Sequence, residues 1–174
     1  MTSQDILDDP DLSPWHFLGF KLWHVKHAWS RAVDAVLAPL DLTLMQFVVL
    51  RYAHLLARQG RQPHQAQIAA AMRVDRMMVS KIIRLLEGKG LLVRVTDPAD
   101  QRLNQIVLTE AGRQRLAPAL IAAQQEQARF FGRLGAEKQR LLKDILDDMM
   151  TLEGLPQTCE DFVTTATKLS ETAP

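Results

Sequence analysis

Residues 74–113 read VDRMMVSKIIRLLEGKGLLVRVTDPADQRLNQIVLTEAGR, and their order of helix, hairpin and helix start sets the architecture. Asp75 suits a helix start, because its carboxylate can accept from the free amides of the first turn. Behind it Val79, Ile82, Ile83 and Leu86 recur at helical spacing on one stripe, which leaves Arg76, Met77, Ser80, Lys81 and Arg84 on the opposite, basic face. Met78 falls between face and core. Gly90 ends the helix, since glycine takes the left-handed conformation that helix termini favour. Residues 91–95 are an apolar strand-like run, Asp97 and Pro98 turn the chain, and residues 103–108 return as a second strand before Thr109 caps another helix. A basic helix followed directly by a hairpin predicts a winged helix.

Working outward, Thr43 and Gln46 have the spacing of a capping box and open a helix to about residue 58. A turn at 60–63 and a short helix over 65–72 lead to the stretch above. Upstream, Ser13 and Pro14 read as a helix start, and Leu18, Leu22, Val25, Trp29, Ala32 and Val36 follow at alternating spacings of four and three until Pro39 closes the helix. Downstream, Leu116, Leu120, Ala123, Phe130 and Leu134 mark the helix that Thr109 opens, with a kink expected at Pro118. Gly135 breaks the chain. A last helix over 136–153 carries Leu141, Leu142, Ile145, Met149 and Leu152 on one face, and Gly154 and Pro156 end it.

The stretch 74–113 resembles the recognition helix, wing and following helix start of the MarR family of bacterial transcription regulators. Gly90, Asp97, Asp100, Arg102, Thr109 and Gly112 stand at that family's spacing. Residues 42–50, LTLMQFVVL, resemble the start of its second helix, residues 67–72 its short third helix, and the likeness extends over roughly residues 15–152. Gln101 departs from it, standing where the family often has Arg. The resemblance implies a mostly α (α+β) fold: a winged helix-turn-helix lobe over about 42–108, and a helical dimerisation region from about 13–38 and 109–153. A disordered segment at 1–12 and a tail at 155–174, with a short helix near 160–169, complete the expected organisation. It further implies a homodimer with two recognition helices about one DNA turn, roughly 34 Å, apart.

Composition is compatible with this. With 174 residues, 47% of them apolar, the chain can bury one domain's core. No apolar run reaches the length of a membrane span, and the acidic residues before Trp15 do not form a secretory signal, so a cytoplasmic protein is expected. The single cysteine, Cys159, has neither a disulfide partner nor metal-ligand spacing. Residues 73–115 hold nine Lys or Arg against five Asp or Glu, so this part carries +4 and the remainder −3 of the net +1. Positive charge thus collects where nucleic acid would be read.

The expected DNA contacts are Arg76, Met77, Ser80, Lys81 and Arg84, entering the major groove. Lys81 and Arg84 reach guanine or phosphate, and Met77 offers an apolar surface to a thymine methyl. By resemblance, Arg102 lies in the adjacent minor groove, steadied by Asp100. Arg94 is read as a phosphate contact or a strand-edge charge, and Gln65, Gln67 and Arg73 as phosphate contacts.

A second face of the first helix collects Phe20, Trp23, His24 and His27, with Trp15 and His16 before them. Such a stripe is either core packing or one wall of a pocket for a small aromatic or carboxylate effector, with Met45, Val49 and Arg51 as the other wall. His24 and His27 alone do not make a metal site, which needs three or four ligands, so neither metal nor cofactor is expected. No Gly-rich phosphate loop, nucleophile elbow or HExxH is present, and Asp147 and Asp148 fall on a polar helix face. The sequence does not read as an enzyme, and its resemblance to the MarR family implies a ligand-responsive repressor. The alternative is a winged-helix module that binds a protein through its tail.

Overall fold

The computed structural model describes residues 16–58 and 62–156, together with residue 6. Apart from residue 6, the expected N-terminal segment lies outside the described residues, as do Ser13, Pro14, Trp15, Gly60, Cys159 and the helix near 160–169; the first long helix starts at Leu18, after the extended Phe17, and not at Ser13-Pro14 as expected. Helix α1 is Leu18–Leu37, followed by a 3-10 turn at Ala38–Leu40; α2 is Leu44–Ala57, α3 Gln65–Met72 and α4 Arg76–Gly88. Strands β1, Leu92–Thr96, and β2, Asn104–Leu108, precede α5, Glu110–Gly132, and α6, Ala136–Leu152. This is the mostly α winged helix-turn-helix that the sequence predicts.

Local chemistry accounts for the boundaries. Thr43 Oγ1 accepts from the Gln46 amide at 3.3 Å and Gln46 Oε1 accepts from the Thr43 amide at 3.2 Å, which closes the expected capping box. Asp75 Oδ1 accepts from the amides of Met77 (2.7 Å) and Met78 (3.1 Å) at the start of α4. Thr109 Oγ1 accepts from the Gly112 amide at 3.0 Å and donates to the Gly90 carbonyl at 2.7 Å, so one hydroxyl starts α5 and ties it to the end of α4. Pro39 lies in the 3-10 turn, where α1 gives way to α2 at a bend of 77°. Pro118 sits inside α5, which remains one helical element.

The hairpin pairs antiparallel in the register Leu92 with Leu108 and Thr96 with Asn104. Its inner side is continued by residues before α3: the Ile106 amide donates to the Pro63 carbonyl at 2.7 Å, and His64 bridges to Gln105. The core joins Val33 and Leu37 of α1, Val49 and Leu50 of α2, Ile68 of α3, Val79, Ile83 and Leu86 of α4, and Ile106 of β2. The four apolar positions expected to face inward from α4 are all buried.

Two expectations about the long helices need correction. Leu116, expected at a dimer interface, is 3% exposed and belongs to the core of the single chain, because α5 begins against the end of α4 and only later leaves the lobe. On α1 the buried line is Val33 and Leu37, one position past Ala32 and Val36 of the expected stripe, which are half-buried, whereas Leu18 (82% exposed), Leu22 and Val25 project beyond the lobe. The buried line on α5 includes Glu126, a polar residue in register with Gly112, Leu116 and Ala119. Arg129 donates to its carboxylate at 2.7 and 2.8 Å, and this hydrogen bond holds the Glu126 carboxyl below the usual carboxylate range. Helix α6 has no buried residue, and Leu141, Ile145, Met149 and Leu152 stand exposed. Among the described residues no single helix is long and apolar enough to cross a membrane.

Candidate nucleic-acid interface

Helix α4 shows two functional lines rather than one basic face. At 100° per residue, Met77, Lys81 and Arg84 follow one another at i, i+4 and i+7 opposite the buried stripe, so they lead into any groove that accepts the helix. All three are exposed, Met77 at 70%. Ser80 lies beside the line, half-buried, and accepts from Arg84 Nη2 at 3.3 Å. Arg76 is turned aside, toward the wing. There it lines a cleft of about 130 Å³ with Arg94, Arg102, His64, Gln65 and Asn104. Three guanidinium side chains from the recognition helix, strand β1 and the wing turn thus converge on one concavity, suited to an anionic backbone.

The wing turn is built to present Arg102. Asp100 Oδ1 accepts from the Arg102 backbone amide at 2.9 Å, which orders the turn and leaves the guanidinium exposed. Arg94, at the cleft wall, pairs with Glu87 at 3.0 Å. Gln65 Nε2 donates to the Arg76 carbonyl at 3.2 Å, binding the first turn of α3 to the first turn of α4. Two expected phosphate contacts also bond within the chain. Gln67 Oε1 accepts from the His64 amide at 2.8 Å and so caps α3. Arg73, in the left-handed region at the helix-turn-helix corner, donates to the Gly154 carbonyl at 2.9 Å beyond the end of α6.

Beneath the cleft lies a residue that sequence reasoning used only as a turn former. Asp97 is 1% exposed. Its Oδ2 accepts from His64 Nε2 at 2.6 Å and Gln105 Nε2 at 3.1 Å, and its Oδ1 from the Ala99 amide at 2.7 Å. Asp97 therefore fastens the base of the wing to the N-terminus of α3. The local signal, a carboxylate before Pro98, is fully explained by the turn it makes with Ala99; the partnership with His64 spans 33 residues and leaves no periodic trace.

The aromatic cluster expected on α1 is present. Phe20 meets His24 edge-on at 4.5 Å between ring centres, Trp23 meets His24 at 4.8 Å, and Trp23 lies 4.0 Å from His27. His27 Nδ1 donates to the Trp23 carbonyl at 2.8 Å. On α2, Met45 packs against the core, and Arg51 lies near His54, as do Arg58 and Arg113. Burial first, and then these three cations, lower the pKa of His54. Ten residues of α1, about 15 Å of rise, lie between His27 and the joint with α2. Among the described residues no group of three or more His, Cys, Asp or Glu is arranged to hold a metal.

Comparisons with known proteins agree with the winged-helix fold. The profile of the MarR family matches residues 42–103, which run from α2 through the wing turn. The chain is 35% identical over 122 residues, 70% of its length and 80% of the relative's, to the HTH-type transcriptional regulator YdcH of Bacillus subtilis. Among solved structures, CouR of Rhodococcus jostii RHA1 bound to p-coumaroyl-CoA superposes with a TM-score of 0.67 at 27% identity, covering 81% of this chain and 94% of CouR. CouR on a 23-mer DNA duplex gives 0.69 at 28% identity, covering 82% and 98%. The Mycobacterium tuberculosis MarR family protein Rv2887 with p-aminosalicylic acid gives 0.60 at 30%, covering 76% and 98%.

Proposed function

Because the chain belongs to the MarR family of DNA-binding transcription regulators, which are not enzymes, we propose that it works as a homodimeric repressor. It binds a pseudo-palindromic operator and is released by a small aromatic or carboxylate-bearing effector. The observation that carries this reading is the pairing of the Met77, Lys81 and Arg84 line with the cleft of Arg76, Arg94 and Arg102. The line enters the major groove and supplies base contacts. The cleft takes the backbone beside it, and Arg102 reaches the adjacent minor groove, where narrowness concentrates negative potential.

The test is selection of binding duplexes from a random pool, followed by titrations across a salt series. Lys81→Ala and Arg84→Ala are each expected to weaken the selected site by about 1 to 3 kcal/mol and to relax preference at one base position. Arg102→Ala is expected to flatten the log-log salt dependence by roughly one unit without altering the unfolding midpoint. Binding that ignores both sequence and salt would favour the protein-interaction reading.

Dimerisation gives a cover to the exposed apolar side chains of α1 and α6, which the lobe leaves in water. Ile145→Glu is expected to place an unpaired charge in that interface and yield monomers in sedimentation, with operator affinity lost. An unchanged dimer would move the interface elsewhere.

For the effector, the support comes from relatives solved with p-coumaroyl-CoA and with p-aminosalicylic acid, and from the exposed Trp23 and His27 rings. An effector releases DNA only by preferring the DNA-incompetent arrangement, and coupling of about 1 to 3 kcal/mol gives a 5- to 150-fold loss of affinity. Hydroxybenzoates and hydroxycinnamates are expected to quench Trp fluorescence and dissociate operator DNA over one concentration range. His27→Ala should blunt both signals. Quenching without release would reduce the aromatic face to a packing surface.

A further inference from the structure

The far end of the recognition helix is also anchored to the α1–α2 joint. Lys89, which follows α4, donates to the Asp41 carbonyl at 2.6 Å, to Asp41 Oδ1 at 2.9 Å and to Gln46 Oε1 at 3.2 Å. An ammonium has three N–H donors, and these three acceptors use them all. The acceptors are themselves held in place. Asp41 adopts φ +52°, one of two non-glycine residues with positive φ among the described residues, and Gln46 is the buried capping residue of α2. From α5, Arg115 Nη1 donates to the Leu40 carbonyl at 2.5 Å; from α1, Asp34 Oδ1 accepts from the Leu44 amide at 2.6 Å. Residues 40–44 are therefore where α1, α2, α4 and α5 are joined by polar bonds.

We propose that Lys89 is a positioning residue for DNA reading: by caging its ammonium at the α1–α2 joint it sets the angle between the recognition helix and α1. The proposal rests on the dimeric, DNA-binding reading above. Helix α1 has 20 residues, about 30 Å of length. A change of about 5° at the joint displaces its far end by roughly 3 Å, close to the rise of about 3.4 Å per base along a DNA strand. With α1 in the dimer arm, the cage fixes the separation of the two recognition helices. Lys89 is not itself a phosphate contact. Helix α4 has 13 residues, so Lys89 stands about 20 Å along the axis from the capped end.

The experiment uses the full chain, the duplex selected by the wild-type protein, and duplexes with one base pair added or removed between the half-sites. Wild type should bind the altered spacings much more weakly than the selected one. Lys89→Met keeps the apolar stem and removes the ammonium. It should bind the selected duplex about 2- to 30-fold more weakly, the range for residues acting through an intervening element, with an unchanged salt slope. Its discrimination between spacings should shrink. Asp41→Asn, an exposed change that keeps the carbonyl and tolerates positive φ, should shift discrimination the same way by less. Discrimination equal to wild type in both variants would overturn the proposal whatever happens to affinity or melting temperature. So would a salt slope reduced by about one unit in Lys89→Met, which would make Lys89 a phosphate contact. If wild type itself shows no sequence or spacing preference, the dimeric regulator reading fails, and the proposal with it.

Discussion

Gly112→Ala is expected to destabilise the protein by at least about 3 kcal/mol, at the upper end of what overpacking costs, and to lower its thermal midpoint by roughly 6 to 12 °C for a chain of this size. A Cβ at Gly112 would stand 1.9 Å from the Leu91 carbonyl oxygen and 2.9 Å from its carbon. Both are backbone atoms, so no side-chain rotation relieves the clash. The same carbonyl accepts from the Thr109 amide at 3.2 Å, and moving it pulls the first turn of α5 from the link between α4 and β1. Gly88 supplies the control. It lies in the last turn of α4 with nothing within 4 Å of its added Cβ, and Gly88→Ala should be neutral or gain up to about 1 kcal/mol from helix propensity. Thermal and denaturant unfolding of both variants measures the contrast; equal midpoints would show that α5 can shift without cost.

Asp97→Ala is expected to cost about 3 to 5 kcal/mol, the range for removing one member of a buried, hydrogen-bonded pair. The substitution leaves His64 Nε2, Gln105 Nε2 and the Ala99 amide without their common acceptor. Since those groups fasten the wing to α3, operator affinity should fall further than the unfolded fraction explains, and the contribution of Arg102 should disappear with it. Asp97→Asn retains one acceptor oxygen and the shape of the side chain, so it should fall between wild type and Asp97→Ala. Denaturant titration combined with DNA titration of the pair separates lost fold from lost wing. A variant that loses stability but keeps full operator affinity would confine Asp97 to the core.

Much of the reading end was legible because its signals are short-range. The cap at Asp75, the stripe through Leu86, the turn at Asp97-Pro98 and the cap at Thr109 each lie within a few residues of what they determine, and boundaries fell within about a residue of expectation. The candidate site was legible only in part. Lys81 and Arg84 face outward as periodicity requires, but the same periodicity placed Arg76 with them, and the structure turns it to the wing cleft. Gln67 and Arg73 each bond within the chain as well, Gln67 to the His64 amide and Arg73 to the Gly154 carbonyl, which nothing in the sequence marked.

The chain alone thus dictates its run of elements, the buried face of the recognition helix and the collection of positive charge between residues 73 and 115. Those follow from hydrogen bonds and hydrophobic periodicity inside one helix or one hairpin, which are complete before distant parts meet. That Leu116 is core, that Leu18 and Ile145 are exposed on the single chain, and that Asp97 and Lys89 bond to distant residues came only with the tertiary structure. A side chain's partner there is set by how helices cross and which loop ends converge. A carboxylate bonded to a histidine 33 residues away, or an ammonium bonded to a carbonyl 48 residues away, carries no periodic mark in the chain.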